Sequence, residues 1–130
     1  MKVGLKMPAN LQQMLEDLDE LERSQIDEIA GDMLDAGAEV ALAGMQRRVR
    51  VRTGKLKDYL KRSEIKQDGN VSFVEIGLIG APGEVVRYGT VNEFGSSSVK
   101  AQSFLRATMT EDKTKIYRAM KARLKARGIE

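Results

Sequence analysis

Cysteine and histidine are both absent from this chain of 130 residues, and the two absences remove much of the usual chemical repertoire. Without cysteine there is no disulfide framework, no thiol nucleophile and no thiolate metal site. Without histidine the ordinary general base near neutral pH and the commonest neutral metal ligand are missing too. Three tyrosines and three phenylalanines, widely dispersed, make no base-stacking platform for single-stranded nucleic acid. No apolar run of signal-peptide length follows Met1–Lys6, and no stretch approaches the roughly 20 apolar residues of a membrane span. The expectation is a soluble protein, made in the cytoplasm, with no membrane partner.

Catalytic motifs are equally scarce. There is no glycine-rich phosphate loop, metal-ligand spacing or nucleophile elbow, and Gly77-Leu78-Ile79-Gly80 is too short for a nucleotide fingerprint. No cofactor is expected. Glu75 and Glu93 come nearest to a carboxylate pair, but nothing around them would position a substrate. A strand-face ion pair for Glu75 and a loop or helix-end anchor for Glu93 are the expected roles, and the chain reads as a non-enzyme.

What the chain does have is charge, unevenly placed. The length suits one domain spanning residues 1–130. Net charge is +3, yet residues 1–46 carry three basic and ten acidic side chains, residues 47–66 carry nine basic against Asp58 and Glu64, and residues 113–127 carry seven basic and no acidic ones. Two readings follow. Acidic and basic faces satisfy each other within the fold or across a subunit contact, or a basic stripe faces the phosphates of nucleic acid.

Hydrophobic periodicity outlines the elements. Asn10 is a candidate N-cap for a helix with Leu11, Met14, Leu15, Leu18 and Leu21 on one side. Ser24 and Asp27 resemble a capping box that restarts the helix near Arg23. A second stripe runs from Ile26 through Met33, Leu34 and Val40 to Met45. Gly31, Gly37 and Gly44 within it suggest a close neighbour, either the sheet or another subunit. Residues 47–52 read as an extended exit, and Thr53 as the cap of a short helix through Leu56, Tyr59 and Leu60. Residues 61–67 and 71–79 flank the turn Asp68-Gly69-Asn70 as a hairpin. Residues 84–94 fit a helix ending at Gly95 or a further strand. Ser96-Ser97-Ser98 is loop, and Thr110 is placed to cap a final helix with Ile116, Tyr117, Met120 and Leu124 inward, ended by Gly128. The class expected is α+β: a long N-terminal helical segment and a C-terminal helix packed on a small, mainly antiparallel sheet.

Three short phrases punctuate this order: Arg52-Thr53-Gly54-Lys55-Leu56, Val91-Asn92-Glu93-Phe94-Gly95-Ser96 and Ser103-Phe104-Leu105-Arg106-Ala107-Thr108. The ordered set resembles the small neck or tail-completion proteins of long-tailed double-stranded DNA phages, the group that includes the lambda tail-completion protein Z. There a helical segment is followed by Thr-Gly-x-Leu, strands, a Val-Glu-Phe-Gly-Thr phrase, then Pro-Phe-Leu-Arg-Pro-Ala and a C-terminal helix. This chain departs from the pattern in the inserted Asn92, in Ser96 for threonine, and in Ser103 and Ala107 for prolines; the missing prolines imply a less rigid loop before the last helix. The resemblance implies a structural protein of the virion, at the junction of head and tail, that completes the upper end of the tail. Its implied partners are further copies of itself in a ring, other neck proteins and the tail terminator, with passing double-stranded DNA as a non-specific contact. Arg52, Thr53, Gly54, Leu56, Glu93, Phe94, Gly95, Phe104, Leu105 and Arg106 are the candidate assembly-interface residues. A basic nucleic-acid-binding module is the alternative.

Overall fold

A computed structural model describes residues 1–18, 20–49 and 54–129. Its elements run β1 (Lys2–Lys6), α1 (Ala9–Glu16), α2 (Arg23–Arg48), α3 (Gly54–Tyr59), β2 (Leu60–Arg62), β3 (Lys66–Asp68), β4 (Val71–Leu78), α4 (Gly83–Phe94), α5 (Phe104–Glu111) and α6 (Lys113–Ala126). The class is α+β, as expected.

The organising element is α2, whose apolar stripe buries Ile26, Ile29, Met33, Leu34, Ala41 and Met45 between the sheet and α6. Its capping box stands two residues before the anticipated one. The Glu22 side chain accepts from the N–H of Gln25, and the Gln25 side chain accepts from the Glu22 N–H at 2.8 Å. Arg47 and Arg48 close it, favourably placed at the negative end of the helix dipole. The helix persists to Arg48 and turns extended at Val49, so the extended exit begins two residues later than the charge alternation suggests; residues 50–52 and the expected cap Thr53 lie outside the described residues.

Three further expectations need correction. Helix α1 starts after Pro8, not Asn10, whose amide instead donates to the Tyr117 hydroxyl at 2.8 Å. It stops at Glu16, leaving Leu18 and Leu21 in the connection to α2. At the C-terminus there are two helices rather than one capped by Thr110. Thr110 is inside α5, and the chain turns at Asp112, whose backbone departs from helical values at φ −95° and ψ 9°.

The sheet is antiparallel throughout, with β4 at its centre. On one edge lies β1, in register Val3↔Ile76 and Leu5↔Val74, so its apolar residues share the buried face with β4. On the other edge β2 and β3 form one interrupted strand. At the interruption the Ser63 N–H donates to the Glu75 carbonyl at 2.7 Å, and the Ser63 hydroxyl accepts from the Glu75 N–H at 2.9 Å. Val74, Ile76 and Leu78 are buried toward α2, while Val71, Phe73 and Glu75 are half-buried on the outer face. One apolar core joins both layers.

Candidate functional site

The joint between α4 and α5 is built around one carboxylate. Glu93 is 1% exposed, and its carboxylate accepts from the Leu105 N–H at 2.7 Å, the Arg106 N–H at 3.1 Å and the Arg106 Nε at 2.7 Å. The first turn of a helix presents N–H groups with no partner inside the helix. Usually the residue just before the helix supplies an oxygen. Here that residue, Ser103, is left-handed at φ 47°, and its hydroxyl donates to the Glu93 carbonyl. The cap therefore comes from the preceding helix, as the helix-end anchor expected of Glu93. Arg106 closes the loop, its Nη2 donating to the Glu93 carbonyl at 2.8 Å.

The end of α4 is held in the same way. Gly95 has φ 79° and ψ 178°, a region open essentially to glycine alone, so it terminates the helix as anticipated but by an extended rather than a left-handed turn. A Cβ there would press on the Val99 carbonyl and the Ala101 nitrogen, each at 2.9 Å. The returning chain then satisfies the helix end: the Asn92 carbonyl accepts from the Gln102 N–H at 2.6 Å and, more distantly, from that of Ser103.

The candidate residues divide by depth. Leu56, Glu93, Phe104 and Leu105 are buried, Gly95 is half-buried, and Phe94 and Arg106 are exposed, with the Arg106 guanidinium 4.4 Å from the Phe94 ring centroid. Arg52 and Thr53 lie outside the described residues, and Gly54 opens α3. The three phrases nevertheless converge. Leu56 lies 3.7 Å from where a Cβ of Gly89 would stand, so the first phrase packs under α4; the second phrase is the end of α4; and Glu93 binds the third. Sequence reasoning missed Tyr88, which is as exposed as Phe94 at 58% and lies six residues earlier on the same helix.

Much of the segregated charge is paired within the chain. Asp112, 3% exposed, accepts from Arg48 at 2.7 and 2.9 Å and from Arg47 at 3.0 Å; the hydrogen bond from Arg48, helped by the wider positive field and opposed by burial, lowers its pKa to about 2. Asp32 binds Arg123 and Arg127, Asp35 binds Arg62, and Glu75 lies between Lys66 and Lys2. For Asp32 burial raises the pKa, but the two arginines outweigh it and the net direction is down. The strand-face ion pair expected of Glu75 is present, and hydrogen bonds from Lys66 and then Lys2 lower its pKa. Arg118, Lys121 and Lys125, at helical spacing on the exposed side of α6, have no ion pair among the described residues.

A groove of about 600 Å³ between β1 and the α5–α6 turn is lined by Leu5, Pro8, Met109, Ile116, Tyr117 and Met120, and its polar rim of Lys6, Asn10, Thr110 and Lys113 includes no carboxylate. Among the described residues no three acidic side chains gather as a metal-binding group, and no helix is long and apolar enough to cross a membrane. What these contacts do is fix the shape of a surface.

No curated protein and no solved structure gives a significant match to this chain. A family model does: that of the HK97-gp10-like proteins, described as "Bacteriophage HK97-gp10, putative tail-component", matches residues 12–95. The matched span takes in the first two phrases up to Gly95, and the third lies just beyond it, tied back by Glu93. The chain belongs to the HK97-gp10-like family of phage tail components.

Proposed function

We propose that the chain is a non-enzymatic assembly protein of the phage neck, which completes the upper end of the tail so that it joins the DNA-filled head. The observation that carries this reading is the convergence of the three phrases on α4. They are the ordered features that resemble those of tail-completion proteins, and in the fold they form one unit rather than three unrelated turns. In the particle the chain contacts further copies of itself in a ring, other neck proteins and the tail terminator. Electron microscopy of particles made without this chain tests it: heads and tails that fail to join are expected, and normal infectious particles would overturn the reading.

A second reading, a basic nucleic-acid-binding module, is favoured by Arg118, Lys121 and Lys125, three adjacent cations without carboxylate partners among the described residues. Tight duplex binding that weakens steeply with salt would support it.

A further inference from the structure

Helix α6 lies beside β1 and α1 without filling the space between them. The groove of about 600 Å³ is lined there by buried Leu5, Ile116 and Met120 and by half-buried Met109. A second hollow, of about 420 Å³, follows toward the C-terminal end of α6, over Leu11, Met14, Leu124 and Ile129. Asn10 and Tyr117 line both, and their side chains are joined by a hydrogen bond at 2.8 Å. The two hollows therefore meet at that bridge as halves of one apolar trough.

Charge along the trough is of one sign. Lys6 and Lys113 border the first half and Lys121 and Lys125 the second. All four are exposed, and none forms an ion pair among the described residues. No carboxylate lines either half. The acids nearest in sequence are engaged elsewhere: Glu111 and Asp112 with Arg48, Glu16 with Arg23, and Asp17 with the Gln13 amide. From Lys113 to Lys125 the row of cations extends about 18 Å along α6, and Lys6 faces it from β1.

These features select an occupant. A trough with methionine in its walls takes apolar side chains and adapts to their shape. Duplex DNA would answer the lysines but has nothing to bury between them. A small amphiphile with one carboxylate would answer one lysine and leave the rest of the row unmet. A helix with an apolar stripe flanked on both sides by carboxylates meets the apolar floor and the cations on either bank together. We propose that the trough between α6 and the β1–α1 segment docks an acidic amphipathic helix of another protein, its carboxylates lying along Lys6, Lys113, Lys121 and Lys125. The inference deepens the assembly role proposed above, on which it rests, by giving the chemistry of one partner. It is measured on the purified chain, so its failure is distinguishable from a normal-particle phenotype.

The probe is a fluorescein-labelled synthetic helix of about 20 residues, made of leucine, alanine and glutamate with the leucines on one face. Anisotropy should give a Kd of about 100 μM or tighter. A scrambled peptide of the same composition, which keeps the charge and loses the apolar face, should bind at least about tenfold more weakly, as should the wild-type probe to Lys6→Glu with Lys113→Glu. Lys6→Gln with Lys113→Gln replaces that variant should a melting curve show it unfolded. With carbon-13 in the methionine methyls, the signals of Met14, Met109 and Met120 should move on binding. That of Met1, whose sulfur lies against Gly89 of α4, should stay. No binding at about 1 mM, equal binding of the scrambled peptide, or unmoved trough methyls would each overturn the proposal. Movement of the same three methyls by a DNA duplex, by dodecanoate or by raising the concentration of the chain alone, with displacement of the probe, would overturn it in favour of that occupant.

Discussion

At the residue scale, Asp112 and Glu93 are buried carboxylates with different partners, and they predict different behaviour. The Asp112 pKa falls from an ordinary 3.8 to about 2 on folding, chiefly through the hydrogen bond from Arg48. A depressed pKa contributes stability that is complete above the unfolded value and is lost as pH falls through the folded one. At about 1.4 kcal/mol per unit this amounts to about 2 kcal/mol, present above pH ~5 and gone near pH 2. Asp32 and Glu75, also depressed, add to acid sensitivity in the same direction. The Asp112→Asn variant isolates one contribution: in urea unfolding it should be less stable than wild type by about 2–3 kcal/mol at pH 7, with the gap narrowing as pH approaches 2. A gap independent of pH would refute the ion-pair account. Glu93 holds two backbone N–H groups and a guanidinium, so Glu93→Ala should cost about 3 kcal/mol and speed amide exchange in the first turn of α5. Glu93→Gln should cost less, since it keeps one oxygen in place.

At the scale of elements, two of the three glycines of α2 give opposite predictions from one sequence signal. A Cβ on Gly44 would collide with the Asp112 carboxylate and the Thr108 methyl, whereas one on Gly31 would meet Ile65 at an ordinary 3.8 Å. Gly31→Ala should therefore raise stability by up to about 1 kcal/mol through helix propensity, while Gly44→Ala should lower it by about 2 kcal/mol. Thermal melts of the pair decide the matter, and equal effects would refute it. The stripe from Ile26 to Met45 made α2 plain from sequence, as the Asp68-Gly69-Asn70 turn did the hairpin. Strand β1 was not legible: five residues, two of them lysine, become a strand only because β4 offers an edge and Leu5 a place under α2. The break at Asp112 was hidden for a related reason, since the arginines that hold that aspartate lie more than sixty residues away in sequence. Ser103 shows the converse. Where the resembling proteins have proline, this backbone has φ 47°, which proline cannot adopt. The hydrogen bonds of Ser103 to α4, not a rigid ring, hold that loop.

At the scale of the whole molecule, charge segregation was visible in the sequence, but its pairing was not, because only the fold sets the acids of α2 against the bases of α6 and β2. Those contacts, together with the pairing of Arg47 and Arg48 at the end of α2 with Asp112, withdraw Arg47, Arg48, Arg62, Arg123 and Arg127 from the pool available to an outside partner. The DNA question becomes quantitative at that point. Each phosphate neutralised on duplex DNA contributes about −0.9 to the slope of log affinity against log salt. If DNA contacts the α6 face through Arg118, Lys121 and Lys125, the slope should be about −3, and binding at physiological salt should be weak and indifferent to sequence. Lys121→Glu with Lys125→Glu should remove most of it while leaving the melting temperature nearly unchanged, since neither side chain forms an ion pair among the described residues. Fluorescence anisotropy on a labelled duplex across a salt series measures both. A slope of about −6 or steeper would mean that cations beyond these three also reach the phosphates, and the balance of charge would then favour a nucleic-acid-binding module over an assembly protein.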